Sequence, residues 1–120
     1  ERQLRDAQRM AQMGHWRADL ETGELFWSEE IYRIFGREPG VFVPSVAAFK
    51  AAVHPDDRAA VEASEEMAER TGRHDVVHRI VRPDGTVRHI HELAQLETGR
   101  AGKWLTGLVQ DVTDEIVARE

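Results

Sequence analysis

The sequence predicts one α+β domain built around an antiparallel sheet, and three observations predict it. Two short strand-like runs near the N-terminus, His15 to Leu20 and Glu24 to Ser28, are separated by the turn residues Glu21-Thr22-Gly23. Helix-patterned segments fill the middle of the chain, and from His74 onward the apolar residues recur with period two. Strands and helices segregated in this way imply an antiparallel sheet with helices covering one face, rather than alternating βα units.

Each element has a local warrant. Residues 1–12 lack Gly and Pro, and Leu4, Ala7 and Ala11 share a helical face, with Gly14 read as the stop. Ser28 has the chemistry of a helix cap, followed by Glu29 and Glu30 in the first turn, and Ile31, Ile34 and Phe35 fall on one face before Gly36. Arg37 to Pro44 reads as a loop, after which Ser45 can cap a short helix carrying Val46, Phe49 and Val53. His54-Pro55-Asp56-Asp57-Arg58 is the clearest helix start, since proline suits a first turn and the carboxylates complement the dipole. Val61 and Met67 are the expected apolar anchors of that helix, and Gly72 its stop. Val76 to Arg82 and Thr86 to Leu96 are strands joined at Pro83-Asp84-Gly85. Lys103 to Val112 completes a meander after a loop at Gly99 to Gly102, and Thr113 or Asp114 caps a charged outgoing helix.

Composition narrows the function. The 120 residues suit one core, with 41% hydrophobic and 32% charged residues. The expected organisation is a flanking helix over 1–12, a core over 13–112 and the start of a linker helix over 113–120. The net charge is −6 and the 16 basic residues are scattered, which argues against nucleic-acid binding. The absence of cysteine removes disulfides, thiolate metal sites and cysteine-based catalysis. No apolar run approaches the roughly 20 residues of a membrane helix, so a cytoplasmic domain without direct membrane contact is expected. Both ends lie in charged, helix-like sequence, as in a module cut from a longer chain.

Five segments, in this order and at this spacing, resemble a PAS domain of the bacterial kind that precedes histidine kinases and cyclic-di-nucleotide enzymes. They are Gly14-His15-Trp16; Trp27-Ser28 leading into Ile31-Tyr32-Arg33-Ile34-Phe35-Gly36; Val53-His54-Pro55-Asp56-Asp57-Arg58; His78-Arg79-Ile80-Val81-Arg82-Pro83-Asp84-Gly85; and Gly107-Leu108-Val109-Gln110-Asp111-Val112-Thr113. The resemblance spans about residues 8–118. It implies a five-stranded sheet in the order 2-1-5-4-3, a small cavity under the helices, homodimerisation through the N-terminal helix (Leu4, Ala7, Ala11), and signal exit through Asp111 and Thr113 to an effector domain in the same chain. The sequence departs from the family at His89, where tryptophan is common, and at His78, where tyrosine is frequent.

The cofactor options narrow by elimination. Cysteine-linked flavins and chromophores are excluded. Noncovalent flavin is disfavoured because Val109 stands where light-oxygen-voltage domains carry a flavin-contacting glutamine. Haem is disfavoured because residues 55–71 contain no histidine, and His54 reads as part of the helix start. His89 and His91 share a strand face, which the resemblance implies is turned away from the cavity, and two imidazoles without a carboxylate make a weak metal signal.

Pairing across the Asp-Gly turn places His78, Ile80, Ile90 and Glu92 on the inward face. With Ile31, Ile34, Phe35, Phe49, Gly107 and Val109 they are the candidate residues of a small-ligand cavity. The bland counterpart is a His78–Glu92 pair that satisfies itself. The aromatic set Trp16, Trp27, Phe35, Phe42 and Phe49 reads first as core. The leading function is a sensory or dimerising regulatory module. A ligand-free dimerising spacer is one alternative. A small acid–base enzyme with a His78/Glu92 dyad is another, although no nucleophile motif or phosphate-binding loop accompanies it.

Overall fold

The computed structural model describes residues 2–100 and 102–119. Residues 1, 101 and 120, which fall in the expected flanking helix, the last hairpin loop and the linker helix, lie outside the described residues. Five strands form one antiparallel sheet: β1 (Met13–Asp19), β2 (Leu25–Trp27), β3 (Arg73–Val81), β4 (Val87–Gly99) and β5 (Gly102–Asp111). Their order is β2-β1-β5-β4-β3. Helices α1 (Arg2–Ala11), α2 (Glu29–Phe35), α3 (Val46–Ala52), α4 (Arg58–Thr71) and α5 (Thr113–Arg119) complete the chain, with a 3₁₀ turn over Pro55–Asp57 before α4.

The β1–β2 hairpin closes as its turn residues dictate. The Asp19 carboxylate accepts from the backbone N–H groups of Glu21 and Thr22, and Gly23 takes a left-handed conformation at φ 79°. Ser45 caps α3 by accepting from the Ala48 N–H at 3.0 Å, and Gly36 and Gly72 end α2 and α4 in left-handed conformations. The Pro83-Asp84-Gly85 turn joins β3 to β4 in a register that pairs His78 with Ile90 and Val76 with Glu92.

The core lies between the inner sheet face and helices α2 to α4. Ile31, Ile34 and Phe35 of α2 pack on Trp16 and Ala18 of β1, Ile80 of β3, Ile90 and Ala94 of β4, and Leu105 and Val109 of β5. Trp27, Phe35, Phe42 and Phe49 form a connected aromatic cluster, with ring centroids 4.7 Å apart for Trp27–Phe35 and 5.5 Å for Trp27–Phe42.

Four expectations are corrected. Helix α1 ends at Gln12, which adopts φ 52°, and Gly14 lies inside β1. Its role is close approach: a Cβ there would strike the Ile31 side chain and stand 2.9 Å from Ser28 Oγ. Ser28 precedes α2 but leaves the helix uncapped, because its hydroxyl accepts instead from the His15 N–H at 2.9 Å. Met67 is 46% exposed, and the neighbouring Ala68, at 1%, is the residue of α4 that packs inward with Val61. Thr113 does not cap α5, because its hydroxyl is committed to β4 and to Asp111.

Candidate functional site

Period-two alternation of β3 and β4 carries His78, Ile80, Ile90 and Glu92 to the inner face, and all four are buried. The Glu92 carboxylate receives two histidines. His78 Nε2 hydrogen-bonds its Oε1, and His74 Nε2 lies 3.5 Å from its Oε2. Each ring is held from its other side: His74 Nδ1 lies 2.8 Å from Ser64 Oγ on α4, and His78 Nδ1 lies 3.1 Å from the Arg79 carbonyl oxygen. Burial pushes the Glu92 carboxyl up, but the His74 and His78 hydrogen bonds outweigh it and hold the group below its ordinary value. Burial likewise pushes His74 down, and its hydrogen bond and charge pairing with Glu92 reverse that, leaving the imidazole above its ordinary value.

This network forms the polar corner of a cavity of about 40 Å³. Trp16, Leu105 and Val109 form its sheet side, and Trp27, Phe35 and Phe49 press on it from the hairpin and the helices. Glu65 of α4 completes the corner with His74 and Glu92. Burial raises the Glu65 carboxyl above its ordinary value, with Lys50 and His74 offsetting part of the effect. Among the described residues, Glu65 Oε1 and Trp16 Nε1 are buried without a hydrogen-bond partner.

Of the ten residues expected around a cavity, Phe35, Phe49, Glu92 and Val109 line this one. Ile31, Ile34, Ile80 and Ile90 are spent on the core, and His78 sits behind Glu92, edge-on to Phe49 at 5.8 Å. Gly107 does not line it either. Its missing side chain lets β5 approach β4, where a Cβ would collide with the Leu93 carbonyl oxygen and stand 2.8 Å from Ala94 Cβ.

Sequence reasoning missed His74, Glu65 and Trp16 as polar residues of the cavity. His74 lies four residues before His78 in the same strand phase, and Glu65 lies on the Val61–Ala68 face of α4, so both carried a periodic signal. His91 Nε2 pairs with the Asp75 carboxylate at 2.8 Å. No group of three or more His, Asp or Glu among the described residues is arranged to hold a metal ion. His54 belongs to its helix start, where Nδ1 accepts from the Asp56 N–H at 3.1 Å.

A second constellation stands where β5 passes into α5. Arg88 Nε of β4 donates to Asp111 Oδ2 at 2.8 Å, and the Thr113 N–H and hydroxyl donate to Asp111 Oδ1 at 3.0 and 2.6 Å. The His89 N–H donates to Thr113 Oγ1 at 2.9 Å, and the Val112 N–H to the His89 carbonyl at 2.8 Å. Burial raises the Asp111 carboxyl, but the Arg88 and Thr113 hydrogen bonds prevail and lower it. The Asp111 N–H also donates to the Gln12 carbonyl at 2.9 Å, which ties the end of α1 to the start of α5.

The five-stranded sheet with its covering helices matches a known architecture. The PAS fold family model matches residues 24–106. The chain belongs to the PAS fold family. Among solved structures, this PAS domain is similar to a sensory box histidine kinase/response regulator from Burkholderia thailandensis. The two share 27% identity over 98% of this chain and 89% of that one, with a TM-score of 0.79. It is also similar to the N-terminal domain of a diguanylate cyclase with PAS/PAC sensor from Marinobacter aquaeolei, at 20% identity over 87% and 98% of the two chains and a TM-score of 0.75. A PAS domain from Colwellia psychrerythraea shares the fold at 16% identity over 94% and 97%, with a TM-score of 0.70. No curated protein matches the chain.

Proposed function

We propose that this PAS domain is a cytoplasmic sensory module that binds a small molecule in its cavity and biases an effector in the same chain, such as a histidine kinase, through α5. The observation that carries the reading is continuity along β5. Val109 lines the cavity, and Asp111, two residues on and in the same strand phase, anchors the exit. A ligand pressing on the first displaces the strand that holds the second, so two strand positions would bias two orientations of α5. The named functions of the first two neighbours, a sensory kinase and a cyclase with a PAS/PAC sensor, agree in kind with such an effector.

Self-association through α1 belongs to the same proposal. The helix buries no residue, and Leu4, Ala7 and Ala11 are exposed. Its tie to Asp111 through Gln12 would carry a change at a dimer contact to the exit. Among the described residues no helix is long and apolar enough to cross a membrane.

An acid–base enzyme built on His78 and Glu92 finds no support in the geometry, because His78 has both ring nitrogens engaged and does not face the cavity. The test is the absorption spectrum of the freshly purified domain, followed by mass spectrometry of what it releases on denaturation. The expected result is a colourless protein that releases a small metabolite in stoichiometric amount. A Soret or flavin band would replace that reading with a haem or flavin sensor. An empty protein whose stability and dimerisation ignore a metabolite panel would leave a dimerising spacer.

A further inference from the structure

The cavity wall carries two unmet polar requirements of opposite sign. Trp16 Nε1 can only donate, and it is buried without a partner on β1. Glu65 Oε1 on α4 is likewise buried and unpartnered, and both side chains line the same cavity. Groups like these are satisfied in folded proteins, by ligand or by ordered water, because leaving them bare is costly. The remaining polar groups of the wall are already matched, because Glu92 is paired with His74 and His78. The rest of the wall is aromatic and aliphatic, and the cavity volume of about 40 Å³ limits a ligand to a compact one.

From these we infer that the cavity selects a compact, uncharged ligand carrying a hydrogen-bond acceptor for Trp16 Nε1 and an N–H or O–H donor for Glu65 Oε1, the chemistry of a primary amide, lactam or N–H heterocycle. The inference rests on the small-ligand reading above and adds the ligand's class. An organic anion could accept from the indole but has no N–H or O–H to give Glu65 Oε1. An alkylammonium ion could satisfy Glu65 but has no acceptor for the indole. Burial favours the neutral form of Glu65, which is consistent with an uncharged partner.

The test compares three probes of one size, propionamide, propionate and propylammonium, by titration into the ¹⁵N-labelled domain. The readout is the indole N–H resonance of Trp16, assigned by its loss in Trp16→Phe. Propionamide is expected to shift that resonance downfield in a saturable way, and the two ions to leave it in place. Removing one neutral hydrogen bond should weaken propionamide roughly three- to tenfold in Trp16→Phe and in Glu65→Leu. Glu65→Gln, which keeps an acceptor and a donor, should restore binding. Tighter binding of either ion, or an indole resonance unmoved by any probe because water already serves both atoms, overturns the inference. A native ligand recovered from the purified domain that is an organic ion without an acceptor–donor pair would refute the ligand class and leave the sensor reading standing. No bound probe and no recovered ligand would refute both.

Discussion

Glu92→Ala removes the one carboxylate that two buried histidines share. In the native protein His74 and His78 are each at most 3% exposed and both converge on Glu92. Deleting it leaves two desolvated imidazoles facing an empty volume, and breaking a buried pair from one side costs about 3–5 kcal/mol. For a domain of this length each kcal/mol moves Tm by roughly 3–6 °C, so a fall of roughly 10–30 °C is expected. The assay is urea unfolding followed by circular dichroism, with the triple variant His74→Leu, His78→Leu, Glu92→Leu as control. That control removes the polar groups together and should cost less than Glu92→Ala alone. A loss below about 1 kcal/mol for Glu92→Ala would refute the idea that this network holds the interior together.

The same variant has a pH signature of definite sign. His74 has a folded pKa above its unfolded value of 6.5, so its contribution is full below 6.5 and is lost as pH rises through the folded value. Glu65, also raised, acts in the same direction from its own unfolded value of 4.5 upward. Native stability should therefore fall as pH rises above 6.5. In a Glu65→Gln background, Glu92→Ala removes the partner that raises His74 and leaves burial, which lowers it. Stability should then rise as pH climbs toward 6.5 and level off above it, and a continued fall above pH 6.5 would contradict the assignment to His74.

Three further outcomes follow from other parts of the structure. Gly14→Ala should destabilise by about 1–3 kcal/mol through overpacking against Ile31 and Ser28, measured by denaturant midpoint, with Gly23→Ala as an open-space contrast that carries only backbone strain. Arg88→Met strips the guanidinium from a buried Asp111, so amide hydrogen exchange across Thr113 to Arg119 should accelerate while β1 and β2 stay protected; unchanged exchange in α5 would disconnect Arg88 from the exit. Asp57, held at about 2 by the Arg79 hydrogen bonds, contributes stability that is complete above its unfolded value of 3.8 and lost as pH falls through about 2. Asp57→Asn should flatten that part of the acid limb, and a carboxyl titration by NMR that places Asp57 near 3.8 would argue against the bridge.

Much of the sheet was legible because strand phase is a strict constraint. Once Pro83-Asp84-Gly85 marked a hairpin, the inward set His78, Ile80, Ile90 and Glu92 followed from alternation alone. The errors came where two residue types compete for one role. Met67 outranked Ala68 on apolarity, yet helix geometry directs position 68, seven residues from Val61, to the core. Gly14 read as a helix stop because glycine commonly is one, but the stop fell to Gln12 and the glycine served a contact with α2 that only the tertiary fold creates. Ser28 and Thr113 looked like caps for the same reason. Each hydroxyl is instead spent across elements, on His15 and on His89, and no local pattern announces a long-range partner. Glu65 was passed over because a glutamate in a charged helix usually faces solvent.

The two polar constellations are not independent, because one strand carries a member of each. Arg88 and Glu92 lie on the same face of β4, four residues apart, a span of about 13 Å at strand rise. Ile90, fully buried, sits between them and packs in the core with Val109 of the cavity wall. Across the ladder β4 pairs Glu92 with Val109 and Ile90 with Asp111, so cavity wall and exit anchor are successive same-face rungs of one β4–β5 pair, with His91–Gln110 between them. A ligand that repositions Glu92 or Val109 therefore cannot be absorbed by a loop before it reaches Asp111; the intervening contacts are backbone ladder and close-packed core, which transmit displacement rather than damp it. Under the proposed function, that rigidity is what would make the cavity a sensor rather than a packing defect. A void lined only by the α2 and α3 side chains could fill and empty without consequence, whereas this one is bounded by the strand pair that orients α5.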